Sequence, residues 1–224
     1  MGISVRRGPV VSAIAFVALA GMAAPAHAQM TSAIPPLEDP VVVNTEPPVE
    51  PEESGLVEDP ADPEPLPEET GPPSKPGDKP SAEYCRPSRI YTPTSKGGQY
   101  HKAVGATNSN YNGTSRTARS TFTSEVTGEV GVGVTAGLET SIDVMVAKIE
   151  AKYEVNLTVK LTAKLGNSIA VDTPAKKTTN AKYGVYRLKH TGTSYVIYSN
   201  CNTSTKKKVT SYTPLKVGWY LWES

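Results

Sequence analysis

The sequence predicts an all-β fold. The expected form is a twisted antiparallel sheet or sandwich with long amphipathic strands and one short helix, preceded by a disordered segment. Three observations predict it. Charge and proline divide the chain into unlike pieces, apolar and polar residues alternate with a period of two through the last piece, and two cysteines bracket that piece.

The division comes first in the chain. The 224 residues carry a formal net charge of +1, but residues 1–28 hold +2, residues 29–82 hold −11 and residues 83–224 hold +10. Fourteen of the 20 prolines lie between Pro35 and Pro80. A globular enzyme filling the whole chain is thereby excluded. Residues 1–28 read as a secretory signal peptide. Arg6 and Arg7 give the charged start, Val10–Ala20 the apolar stretch, and Ala26 and Ala28 the small residues before cleavage at Gln29. The protein is expected to be secreted and extracellular, with a leader in a bacterial style. Residues 29–82 form an acidic, proline-rich linker or prosegment. Proline removes donors and like charges repel, so this stretch cannot fold alone. One reading makes it a spacer. The other lays its −11 against the +10 domain as a prosegment.

Residues 83–224 are the basic all-β domain. In an oxidising compartment Cys85 and Cys201 are expected to form one disulfide. Val126–Leu138 alternates, with Val126, Val130, Val132, Val134 and Leu138 on the apolar side. Tyr153–Leu165 alternates in the opposite parity, with Val155, Leu157, Val159 and Leu161 apolar. Each reads as a strand of about 13 residues, long against the usual ~5–6. Between them Ile142, Val146, Ile149 and Tyr153 recur at helical spacing, and Ser141 is a fair cap, so 141–152 reads as a short helix or a structured tip joining the strands. Residues 168–171, 183–189, 195–198, 208–212 and 217–222 are further strands. A turn is expected at 173–177 and a hairpin around His190–Thr193. Residues 97–120 read as loop or irregular edge strand.

Enzymatic motifs fail on context. Gly131, Gly133 and Ala136 match a dinucleotide-binding pattern, but the preceding strand carries Glu125, Thr127 and Glu129 and is no buried parallel strand. His101 and His190 stand far apart and have no metal-ligand spacing. The protein is expected to be a non-enzyme with no cofactor and no metal. The basic residues Lys176, Lys177, Lys182, Arg187, Lys189, Lys206, Lys207 and Lys208 crowd the last quarter, with Trp219 and Trp222 nearby. Lysine beside exposed aromatic rings suits an anionic membrane, a wall polymer or a glycan. Nucleic acid is not the expected partner.

The order of Thr123–Gly128, an alternating strand, a tip, a second alternating strand, and then Val171–Lys176 resembles the membrane-inserting module of aerolysin-like toxins of the epsilon-toxin and mosquitocidal-toxin type. It covers about residues 122–177. The resemblance implies a β-hairpin built from Val126–Leu138 and Tyr153–Leu165 that inserts into a membrane, and a homo-oligomer. Taken together, the expected function is non-enzymatic binding of an anionic or glycan-bearing surface, with aerolysin-like insertion as an extension. The alternatives are a structural envelope protein without insertion and a carbohydrate-binding module.

Overall fold

The computed structural model describes residues 43–51, 53–64, 66 and 85–224. All of them belong to one compact unit, residues 40–224. The expected signal peptide and the remaining parts of 29–82 lie outside the described residues.

The fold is antiparallel and all-β with one helix. In chain order the elements are β1 (Leu56–Glu58), β2 (Ser88–Ala103), β3 (Asn108–Tyr111), β4 (Ala118–Thr123), β5 (Gly128–Gly131), β6 (Gly133–Thr135), α1 (Ile142–Tyr153), β7 (Lys160–Ala163), β8 (Ser168–Thr173), β9 (Thr178–Ile197) and β10 (Lys207–Glu223). The main sheet runs β1-β6-β10-β9-β2, and β3 pairs with β9 beyond the end of β2. β4 pairs with β8, and β5 with β7, in two small sheets.

β9 and β10 are the frame. They pair from Lys207↔Ser194 to Glu223↔Thr179, with one shift of register between Pro214 and Lys216. A proline has no N–H for the ladder, so a bulge at Pro214 is the expected accommodation. Pro93 marks a similar shift in β2. β9 buries opposite faces at its two ends. Near its start, Ala181 joins Phe122, Val171 and Leu221, while Tyr183 and Val185 pack with Val130 and Ala163. Further along, Leu188 on the other face joins Met145, Ile149, Val132, Val134 and Val209 under α1. Ser141 caps α1 through its side chain, and Glu154 closes it in the left-handed conformation.

The sequence reading needs two corrections. The expected hairpin around His190–Thr193 does not exist. β9 runs unbroken through it, with His190 fully buried and Gly192 lying under Tyr91, whose ring occupies the place of a Cβ. The two 13-residue strands are not continuous either. Val126–Leu138 splits into β5, which pairs with β7, and β6, which pairs with β10 and β1. Tyr153–Leu165 starts as the end of α1 and reaches a ladder only at Lys160. Val155, Leu157 and Val159 alternate because an irregular segment packs them into the core, while the Leu157 N–H donates to Glu150 Oε1 at 2.7 Å. Residues 97–120 follow the second of their two expected forms: the end of β2, which shifts register between Lys96 and Gln99, and β3 are edge strand, and the start of β4 pairs with β8.

The disulfide is formed, Cys85 to Cys201. The acidic segment also has a place. Residues 43–51 and 53–64 lie along the domain, beginning with the Asn44 N–H donating to Leu221 O at 2.8 Å and the Glu223 N–H donating to Asn44 O at 2.9 Å. β1 then adds to the edge of β6, Leu56↔Thr135 through Glu58↔Gly133. A stretch unable to fold alone is held here by backbone and charge partners that the domain supplies.

Candidate functional site

The strand pattern positions one exposed face. From Lys189 to Ile197 the odd residues of β9 are half-buried and the even ones buried. The buried side, with Leu188, His190 and Ser194, lies under α1 and the loop before it. The opposite side carries Lys189, Thr191, Thr193 and Tyr195. Register places Lys208 beside Thr193 and Thr210 beside Thr191 on β10, and Thr92 beside Thr193 on β2. Thr92 and Lys208 are exposed. The result is a flat face of threonine, lysine and tyrosine.

The cations on this face lie against rings. Lys206 Nζ sits 5.2 Å from the centre of the Tyr195 ring. Lys189 Nζ lies 5.8 Å from that of Tyr100 and 5.7 Å from that of Tyr212. The two tyrosines meet edge to face at 5.4 Å. Among the described residues, no carboxylate pairs with Lys189, Lys206 or Lys208. Lys207, of opposite parity, is turned to the α1 side, where Glu139 takes it at 2.7 Å and Arg89 at 3.5 Å. One residue of offset thus separates a neutralised lysine from two unneutralised ones.

The other predicted basic residues are elsewhere. Lys176 and Lys177 occupy the turn before β9, at the opposite end of the sheet. From Thr178 to Ser194 the strand spans roughly 50 Å at ~3.3 Å per residue, so these lysines share no patch with Lys206–Lys208. Lys182 pairs with Glu50 at 3.2 Å. Arg187 is not a surface residue; it is 1% exposed and pairs with Glu53. Trp219 lies in the core margin, its ring 5.0 Å from Tyr183 and its Nε1–H donating to Asn167 at 2.8 Å. Trp222 is half-buried beside Tyr220, and its residue bridges to Asn44. Both tryptophans are half-buried, and neither lies on the face of Lys189, Lys206 and Lys208. Of the proposed inserting residues, Val130, Val132, Val134 and Leu157 are core, Leu138, Val155, Val159 and Leu161 pack at its margin, and Val126 is exposed.

The charge reading missed Lys102 and Lys160, which bind the acidic segment. Lys102 Nζ donates to Glu53 at 2.9 Å and to Glu58, and Lys160 meets Asp59 at 3.3 Å and Glu129 at 3.0 Å. Burial works to raise the Glu53 carboxyl, but the bonds from Lys102 and Arg187 outweigh it and hold the group below its ordinary range. Burial likewise works against the Lys102 ammonium, and Glu58 and Glu53 raise it overall. The opposed charges of the segment and the domain were the sequence signal that these contacts exist.

No family model matches the chain, and no curated protein or solved structure matches it.

Proposed function

We propose that this is a secreted, non-enzymatic protein whose open sheet face binds an anionic or glycan-bearing surface. One observation carries the reading: Lys189, Lys206 and Lys208 stand on one exposed face among tyrosines and threonines, without carboxylate partners among the described residues. Phosphate, sulfate and carboxylate groups suit ammonium donors of this kind, and the threonine hydroxyls supply neutral donors and acceptors between them.

The test is a charge reversal with an internal control. Lys189→Glu, Lys206→Glu and Lys208→Glu together should weaken binding to phosphatidylglycerol vesicles, polyphosphate or heparin at least ten-fold at low salt. Lys176→Glu with Lys177→Glu changes charge at the far end and should alter binding less than two-fold. Equal losses from both variants would mean that net charge alone is read. No binding to any of the three surfaces would remove the proposal.

Membrane insertion by residues 126–165 is a second reading. It is favoured by the separate two-stranded sheet of β5 and β7, which joins the two expected hairpin arms at Val130↔Leu161. Insertion requires Val132, Val134 and Leu157 to leave the core. Dye release from anionic vesicles together with SDS-resistant oligomers would support it, and intact vesicles would end it.

A further inference from the structure

Residues 53–59 fill a site that the domain builds. Its back wall is Arg187, fully buried, with the Tyr212 ring 5.5 Å from its guanidinium carbon. Among the described residues no carboxylate of residues 85–224 pairs with Arg187. Its charge partner is Glu53, and its Nε and Nη1 have no hydrogen-bond acceptor. Lys102 closes one side by binding both Glu53 and Glu58. The two carboxylates converge because the chain turns between them at Ser54 and Gly55. There the Leu56 N–H donates to Glu53 O at 3.0 Å and Gly55 has φ of 92°.

The other half of the recognition is main chain. β1 pairs with the edge of β6, and the Asp59 N–H donates to Val132 O at 3.1 Å. The floor is free of side chains where the segment passes. A Cβ on Gly131 would collide with the Asp59 carboxylate, and one on Gly133 would lie 3.4 Å from Leu56 Cδ1 and 3.6 Å from Arg187 Nη1. The glycines that imitate a nucleotide-binding motif are the bed of a peptide.

We propose that this cradle is a recognition site for an extended acidic polypeptide. Its ligand carries a carboxylate, a turn, a short strand and a second carboxylate, and residues 53–59 occupy the site as a built-in ligand. A membrane or a sugar polymer satisfies the cations but not the β6 edge, which reads backbone N–H and C=O groups. The tether gives the resident segment a high effective concentration, so an external strand enters only after the resident one is displaced.

The experiment uses full-length protein and a fluorescein-labelled peptide of residues 47–62, followed by anisotropy at low salt. Two variants displace the resident segment by different means: Glu53→Lys with Glu58→Lys reverses its charge, and Val57→Pro breaks its ladder. Circular dichroism and an intact disulfide establish folding. Both variants should bind the peptide at least ten-fold more tightly than the wild type. A peptide with Glu53→Gln and Glu58→Gln should lose at least ten-fold. Adding Lys102→Gln to the charge-reversed protein should do the same. Folded variants that bind no better than wild type overturn the proposal. So does unfolding of both variants, which would make the segment a structural strand and no ligand. Displacement by heparin as efficient as by unlabelled peptide also overturns it, since charge alone would then be read. None of these variants alters Lys189, Lys206 or Lys208, so failure of this assay leaves the binding reading of the open face standing.

Discussion

His190 holds the least expected position of any single residue. Surrounded in sequence by threonines and a glycine, it reads as part of a turn; in the fold it is a fully buried strand residue. Its ring stacks on Tyr153 with centres 6.1 Å apart, and neither ring nitrogen has a partner among the described residues. Burial, reinforced by the nearby Lys96 charge, pushes its pKa down to about 4. The sign of the consequence follows directly. An unfolded histidine takes its proton near pH 6.5 and the folded one only near 4, so between these values the unfolded chain binds more protons. Stability is therefore full above about pH 6.5 and falls as pH drops toward 4, by roughly 3 kcal/mol. His101 adds to the same trend, because burial, partly opposed by its bond to Gly218 O, lowers it too. Urea unfolding at pH 7 and at pH 4.5 should show the loss. His190→Leu should remove most of it, and an unchanged slope in that variant would assign the loss to the carboxylates. The same core raises the Tyr91 hydroxyl to about 12, chiefly by burial, so this group stays neutral across the whole range. Nothing in the local sequence marks His190 as buried. Only the 20-residue continuity of β9 places it there.

Elements were legible where a local signal and the tertiary fold agreed. α1 is the clear case: capping residue, helical spacing and a buried stripe of Ile142, Val146 and Ile149 all coincide, with Met145 added by the structure. The bond from the Val144 N–H to the Ser141 side chain is long, 3.4 Å. Ser141→Ala should therefore cost toward the low end of the ~0.5–2 kcal/mol of an N-cap. Glu150 has the larger role. Its carboxylate receives the Leu157 N–H in a half-buried setting, so Glu150→Ala should cost about 1–3 kcal/mol by leaving that donor unmet. Thermal unfolding of the two variants gives the order directly, and a reversed order would show the segment after α1 to be loosely held. Tyr153–Val159 was misread because alternation records alternate burial, and an irregular chain pressed against a core alternates as a strand does. The open lysine face was half legible. The cluster of cations was plain, but their sorting to two faces and two ends depends on the register of β9 with β10, which composition does not contain.

For the molecule as a whole, the bridge from Cys85 to Cys201, 116 residues apart in sequence, ties the entry to β2 to the connection between β9 and β10. Cys85→Ser with Cys201→Ser should lower unfolding stability by about 5 kcal/mol in the chain-entropy account. Denaturant titration measures it, and a loss under 1 kcal/mol would mean that residual structure already confines the unfolded chain. The docked acidic segment has a consequence in time. Glu53 and Arg187 are 134 residues apart, and Asn44 meets Leu221 across 177. A chain made from its N-terminus presents the segment long before β9 and β10 exist to receive it. Contacts of such long range form slowly. An early-made segment thus depends on late-made strands, and until it docks, Arg187 waits without the Glu53 carboxylate.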